Sequence, residues 1–222
     1  MRYPLHVAFV WHMHQPHYLD EGSGEFLLPW VRLHAVKDYL HMVELLEDYP
    51  RIHATFNLVP SLIEQIDSYA RGTAVDRAWR LSLRETLTPQ EKAYVDSLFF
   101  SASRERLIKR YPRYWQLLRM REAAGGDLEL LGDAYWRDLM AWFNLAWIDP
   151  SWLRRDPVLS ALAAKGSHFS QEDVGTILTK HREIIGATLP AYRRSQRRGQ
   201  IEVSISPYYH PILPLLIDSD SA

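Results

Sequence analysis

The chain has 222 residues, enough for one large domain or two small ones, with 47% apolar and 24% charged side chains. Its 26 basic and 27 acidic residues leave a formal net charge of −1, so no bulk field favours nucleic acid or anionic lipid as a partner. There is no cysteine, which excludes disulfides and thiolate metal sites. No stretch approaches the length of a membrane span, and with Met1-Arg2-Tyr3-Pro4 leading into the first strand no cleavable leader is expected. A cytoplasmic protein with no membrane contact is the expectation.

Residues 5–11 form an apolar run broken only by His6, a length that suits a buried strand. Polarity then arrives abruptly in His12-Met13-His14-Gln15. Pro16 cannot donate to a sheet ladder, so pairing should end near Gln15. Alternation along a strand places His12 and His14 on one face, with Trp11 and Met13 on the other. A lone histidine at such a point is more often a packed core or loop residue. A same-side pair followed at once by an amide and a proline favours a site, at the carboxyl strand end where α/β sheets bind ligands.

Residues 17–29 read as a loop carrying Gly22, Ser23 and Gly24. Val36, Tyr39, Leu40, Val43 and Leu46 lie at helical spacing within residues 30–49, and Pro50 ends the run. Residues 52–57 alternate as a second strand, ending on the polar Asn57. Pro60 opens a helix through Leu62, Ile63, Ile66 and Tyr69 that stops near Gly72. This βαβα order implies parallel pairing with a right-handed crossover.

From about Thr73 to Arg198 there is hardly a convincing strand. Thr88-Pro89-Gln90-Glu91 is a capping box, and further helices are expected over residues 102–110, 113–124, 133–147 and 159–165, the last closed by Gly166. Ser170 starts a final long helix, kinked at Pro190 and ending at Gly199. The aromatic stripe Tyr135, Trp136, Trp142, Phe143 and Trp147 reads as core. The arginines at 193, 194, 197 and 198 read as a solvated helix end, without the interleaved aromatics of a nucleic-acid surface. Residues 200–206 alternate as a third strand, leading into Tyr208-Tyr209-His210-Pro211. The three strands thus deliver His12, His14 and Gln15, then Asn57, then His210 to one rim. The organisation expected is 1–72 for the first βαβα part, 73–166 for a helical insertion, and 167–222 for the long helix, third strand and following loop. A surplus of Trp and Tyr, eight and twelve, suits a core and also sugar binding, because a pyranose offers an apolar CH face to aromatic rings.

His14-Gln15-Pro16 at the end of strand one, the strand Gly199-Gln200-Ile201-Glu202-Val203, and the continuation Pro207-Tyr208-Tyr209-His210-Pro211-Ile212-Leu213-Pro214 together resemble glycoside hydrolase family 57. This is the α-amylase, amylopullulanase and 4-α-glucanotransferase group, and both the Pro207–Pro214 continuation and Pro29-Trp30-Val31-Arg32-Leu33-His34-Ala35-Val36-Lys37-Asp38-Tyr39-Leu40 are similar to its amylopullulanase-type branch. The resemblance implies an α/β fold, the N-terminal part of an incomplete (β/α)7 barrel with a large helical insertion between strands 2 and 3. It implies retaining cleavage or transfer of α-glucans, without a metal or other cofactor. His12 and His14 would hydrogen-bond the sugar beside the scissile bond, Gln15 and Pro16 would fix the strand end, and Glu202 would contact substrate or serve structure. Asn57 and His210 join as rim candidates by position. Retaining hydrolysis needs two carboxyl groups about 5–5.5 Å apart. The family's glutamate nucleophile and aspartate acid find no match here and are expected beyond Ala222. The chain is accordingly expected to be a portion of the enzyme, inactive alone, with the remainder of its own barrel as partner. The rivals are a metal-dependent hydrolase of the amidohydrolase type, which also begins with His-x-His, and a non-catalytic carbohydrate-binding module.

Overall fold

The structure, a computed structural model, describes residues 4–73 and 75–221. Residues 1–3, read above as leading into the first strand, lie outside them. Strand β1 (Val10–Met13) starts later than expected, and it is not a buried strand: Leu5, Val7, Phe9, Val10 and Trp11 are exposed, while Met13 is buried. The reason is position. β1 is an edge strand of a three-stranded parallel sheet, paired on one side alone.

The loop that follows carries a two-residue hairpin, β2 (Leu19–Asp20) with β3 (Glu25–Phe26), its turn tied by the Ser23 N–H and hydroxyl donating to Asp20 at 2.9 and 2.6 Å. Gly24 supplies the left-handed residue, φ 68°. The first helical segment runs as α1 (Trp30–His34), a π-turn (Ala35–Tyr39), α2 (Leu40–Glu44) and a 3-10 turn (Leu45–Asp48). Of the predicted stripe it buries Val36, Tyr39, Leu40 and Val43, with Leu46 half-buried, and it adds Val31 and Leu33. Strand β4 (Ala54–Leu58) buries Ala54, Phe56 and Leu58 in alternation, two residues later than expected at its start. Helix α3 (Pro60–Arg71) begins at proline and ends at Gly72 with φ 72°, as the sequence indicates.

Between α3 and the last long helix the described residues form helices and turns: α4 (Arg77–Ser82), α5 (Pro89–Leu98), a π-turn (Arg104–Ile108), α6 (Pro112–Ala123), α7 (Asp133–Ala146), α8 (Pro150–Arg155) and α9 (Pro157–Lys165). The Thr88–Glu91 capping box is formed on both sides. Pro150 starts α8, capped by Asp149, which accepts the Ser151 N–H at 2.7 Å. Helix α10 (Gln171–Arg197) opens on a second capping box at Ser170 and Asp173 and continues through Pro190. It leads to β5 (Ile201–Ser204), and a short helix, α11 (Leu213–Ile217), follows with Leu213, Leu216 and Ile217 exposed. Strand order is β1-β4-β5, all parallel. No helix among the described residues is long and apolar enough to cross a membrane.

One hydrophobic cluster runs from the sheet into the helical region, and the predicted aromatic stripe, Tyr135 to Trp147, is buried in it. At its centre sits a charged knot. Arg32, fully buried, donates to Asp76 through Nε at 2.6 Å and Nη2 at 3.2 Å, and through Nη1 to Asn144 at 2.8 Å and His181 Nδ1 at 3.0 Å. Tyr69 and the Trp79 N–H also donate to Asp76, at 2.9 and 2.7 Å. Both charges have left water, so each must find its partners within the protein. The knot pins α1, α3, α4, α7 and α10 together behind the sheet.

Candidate functional site

Register decides which side chains meet. β1 pairs with β4 as Val10 with Thr55 and His12 with Asn57, and β4 pairs with β5 as Thr55 with Glu202 and Asn57 with Ser204. Period two therefore sets Val10, Thr55 and Glu202 in one row of a common face, with His12, Asn57 and Ser204 in the next row toward the carboxyl ends. The opposite face, including Met13, Phe56 and Ile201, is core; Phe56 meets Tyr192 of α10 edge-on at 5.1 Å. Glu202 thus shares the face of the histidines but sits a row behind them, about 7 Å along the strand, and is exposed.

At the carboxyl edge three imidazoles converge. The ring centroids of His12 and His210 lie 4.6 Å apart, those of His14 and His210 5.0 Å, and those of His12 and His14 6.0 Å. His210 reaches β1 because the chain reverses after β5: its N–H donates to the Pro207 carbonyl at 2.8 Å, and it adopts φ 52°. That conformation is uncommon for a residue with a Cβ. The loop is anchored where the Ser61 N–H donates to the Tyr208 carbonyl at 3.2 Å. His210 Nδ1 is buried without a protein partner. Burial, and then the neighbouring His210 and His12, lower the His14 pKa from its ordinary value, which favours the neutral ring. Asn57 joins the row, accepting from His12 Nδ1–H at 2.7 Å and from the Ser206 hydroxyl at 3.1 Å.

The turn after His14 is held from two sides. Gln15 Oε1 accepts the Tyr18 hydroxyl at 2.9 Å. Gln65 of α3, fully buried, donates to the Pro16 carbonyl and accepts the Tyr18 N–H, both at 3.0 Å. Sequence reasoning missed Gln65. The signal was available: an amide on the stripe that also carries Leu62, Ile66 and Tyr69 must be satisfied by something. Also missed was an aromatic lip, in which His17 stands 3.6 Å from Glu64 and meets the ring of Tyr209 at 5.7 Å, with Tyr208 4.7 Å beyond.

The site therefore offers imidazoles, amides, serine hydroxyls and tyrosine rings, a set suited to a neutral ligand rich in hydroxyl groups. The histidine–carboxylate pairs among the described residues are His17–Glu64, His34–Asp38 and His41–Asp149, all outside the three-ring cluster. Among the described residues no three His, Asp or Glu side chains are arranged to hold a metal ion.

No curated protein and no solved structure gives a match to this chain. The model of Glycosyl hydrolase family 57 matches it over residues 8–222, a span that takes in every element from β1 to α11. With both strand-end motifs inside that span, the chain belongs to glycosyl hydrolase family 57.

Proposed function

We propose that this family 57 chain acts on α-glucans, as the N-terminal part of a cytoplasmic retaining hydrolase or transglycosylase, and that it holds a sugar ring at His12, His14 and His210. The observation that carries the reading is the convergence of three imidazoles at the strand ends, with the neutral form of His14 favoured by burial and its neighbours. Neutral rings both donate to and accept from sugar hydroxyls. Gln15 and Gln65 keep the turn in place, and Tyr208 and Tyr209 offer ring faces for an adjacent sugar. Glu202, a row behind, lines the same face without joining the cluster.

The division at 72/73 and 166/167, and the barrel itself, belong to the same proposal. Both outer strands have an open edge. Beside β1 an apolar groove of about 470 Å³ is lined by Phe9, Trp11, Met42, Leu45, Tyr49 and Ile52, and beyond β5 the side chains of Ile205, Ile212 and Leu216 are exposed. Unpaired edges beside apolar surface suit the remaining strands and helices of a barrel. In this reading those elements also bring the glutamate nucleophile and the aspartate acid, about 5–5.5 Å apart.

The direct test is calorimetric titration of the chain with maltooligosaccharides. Binding that falls about tenfold or more in His14→Ala, as expected when a buried hydrogen bond is lost, supports the proposal; no binding, or binding indifferent to His14, refutes it. The chain alone should release no reducing sugar from starch, since the carboxyl groups that do the chemistry lie elsewhere. An enzyme containing it should withstand excess EDTA. Activity lost on chelation and restored by zinc would favour the metal-dependent hydrolase.

A further inference from the structure

The Asn57 amide sits between three groups. Its Oδ1 accepts from His12 Nδ1–H at 2.7 Å and from the Ser206 hydroxyl at 3.1 Å, and its Nδ2 donates to Ser204 Oγ at 3.3 Å. A carbonyl oxygen can only accept, so the ring nitrogen facing it must carry the proton. A neutral imidazole has one N–H. His12 Nε2, which has no protein partner among the described residues, is then a bare lone pair at the open face of the cluster.

We infer that Asn57 is a positioning residue that locks His12 in the Nδ1–H tautomer, so that this ring presents a hydrogen-bond acceptor to the ligand. The consequence is specificity. The ligand atom opposite His12 must be a donor, which a sugar hydroxyl is and a fluorine or a bare hydrogen at the same carbon is not. The ligand's identity as a sugar rests on the reading above; the tautomer does not, because it concerns only the protein's own hydrogen bonds. Ser204 and Ser206 hold the amide from β5 and the loop after it, so the placement of a residue on β4 depends on its neighbour strand. Side chains that hold the other nitrogen of a functional imidazole commonly set its role in this way.

The experiment is nitrogen NMR of the histidine rings in the wild-type chain near pH 7.5, with no ligand. For His12 the expected result is a protonated, pyrrole-type Nδ1 and an unprotonated, pyridine-type Nε2. Asn57→Leu should release the ring to a mixture of tautomers or to Nε2–H, and Asn57→Asp, which keeps an acceptor at that position, should restore Nδ1–H. An Nε2–H tautomer in the wild type, or ring signals unchanged by Asn57→Leu in a folded variant, overturns the inference. In maltooligosaccharide titrations Asn57→Leu should weaken binding by about tenfold, the loss of one oriented hydrogen bond, with Asn57→Asp recovering most of it. Failure of the sugar to bind wild type sinks the functional reading and leaves the tautomer measurement standing. Sugar binding by a His12 that proves to be Nε2–H sinks this inference alone.

Discussion

Gln65, on α3, holds the carbonyl of Pro16 at 3.0 Å, and its other amide atom receives the Tyr18 N–H at the same distance. The chain has left the sheet after Met13, so at Pro16 it has no ladder partners, and one buried side chain supplies them. Gln65→Leu should leave both backbone groups unpaired, costing about 2 kcal/mol or more, roughly 5 °C in Tm for a chain of this size. It should also weaken sugar binding, because His14 precedes the freed turn. Thermal unfolding and titration check this together; a variant that keeps both Tm and affinity would show that the amide is incidental.

The Arg32–Asp76 pair is fully buried, so it is a specific liability if broken. Arg32→Met leaves the buried Asp76 carboxylate with neutral donors only, the Tyr69 hydroxyl and the Trp79 N–H, and the expected loss for an unpaired buried charge is about 3–5 kcal/mol. Adding Asp76→Leu in the same protein should recover part of that loss, since the orphaned charge is then gone. Urea unfolding of both singles and the double gives the coupling energy; near-additive losses would mean the two residues do not act as a pair.

His181 should make the chain sensitive to mild acid. Its Nδ1 accepts from Arg32, which has no lone pair to offer, so its Nε2–H donates to the Asn144 carbonyl at 3.0 Å. Burial, and then the Arg32 charge, push its pKa well below the usual histidine value. The unfolded chain takes up a proton near pH 6.5 while the folded one does not. Stability is therefore undiminished above pH 6.5 and falls as pH drops below it, by about 1 kcal/mol per pH unit from this one group. The carboxylates whose pKa is lowered, Asp20, Asp38, Glu91, Asp156 and Asp173, act in the same direction but at lower pH. Denaturation at pH 7.5, 6 and 5 should show the slope, and His181→Gln, which keeps an acceptor and a donor, should flatten it. An equal slope in the variant would assign the effect elsewhere.

His210 couples strain to function. A non-glycine residue at φ 52° costs roughly 1–2 kcal/mol, and the cost is borne where the ring closes the cluster. His210→Gly should raise stability by about 1 kcal/mol while weakening sugar binding. His210→Ala should weaken binding without that gain. Paired Tm and affinity measurements separate the two effects, and binding unchanged in both variants would remove His210 from the site.

The features settled by neighbours in the chain were legible in the sequence. His12 and His14 share a face because strand alternation is local. Pro60 and Gly72 bound α3, and the boxes at Thr88 and Ser170 open α5 and α10, because each rests on contacts within four residues. The stripe from Tyr135 to Trp147 is core, as its helical spacing indicates, but α7 is buried on every side from Asp138 on, which tertiary packing decided. Tertiary structure decided what depends on residues far apart in sequence. Whether the apolar start of β1 is covered depends on which strand flanks it, and β1 is an edge. Gln65 meets Pro16 across 49 positions, Arg32 meets His181 across 149, and Asn57 meets Ser206 across 149. His210 joins the histidines of β1 only because β5 lies two strands away and the loop after it turns back at positive φ. No periodicity encodes such meetings; they follow from chain crossing and register, which local sterics leave open.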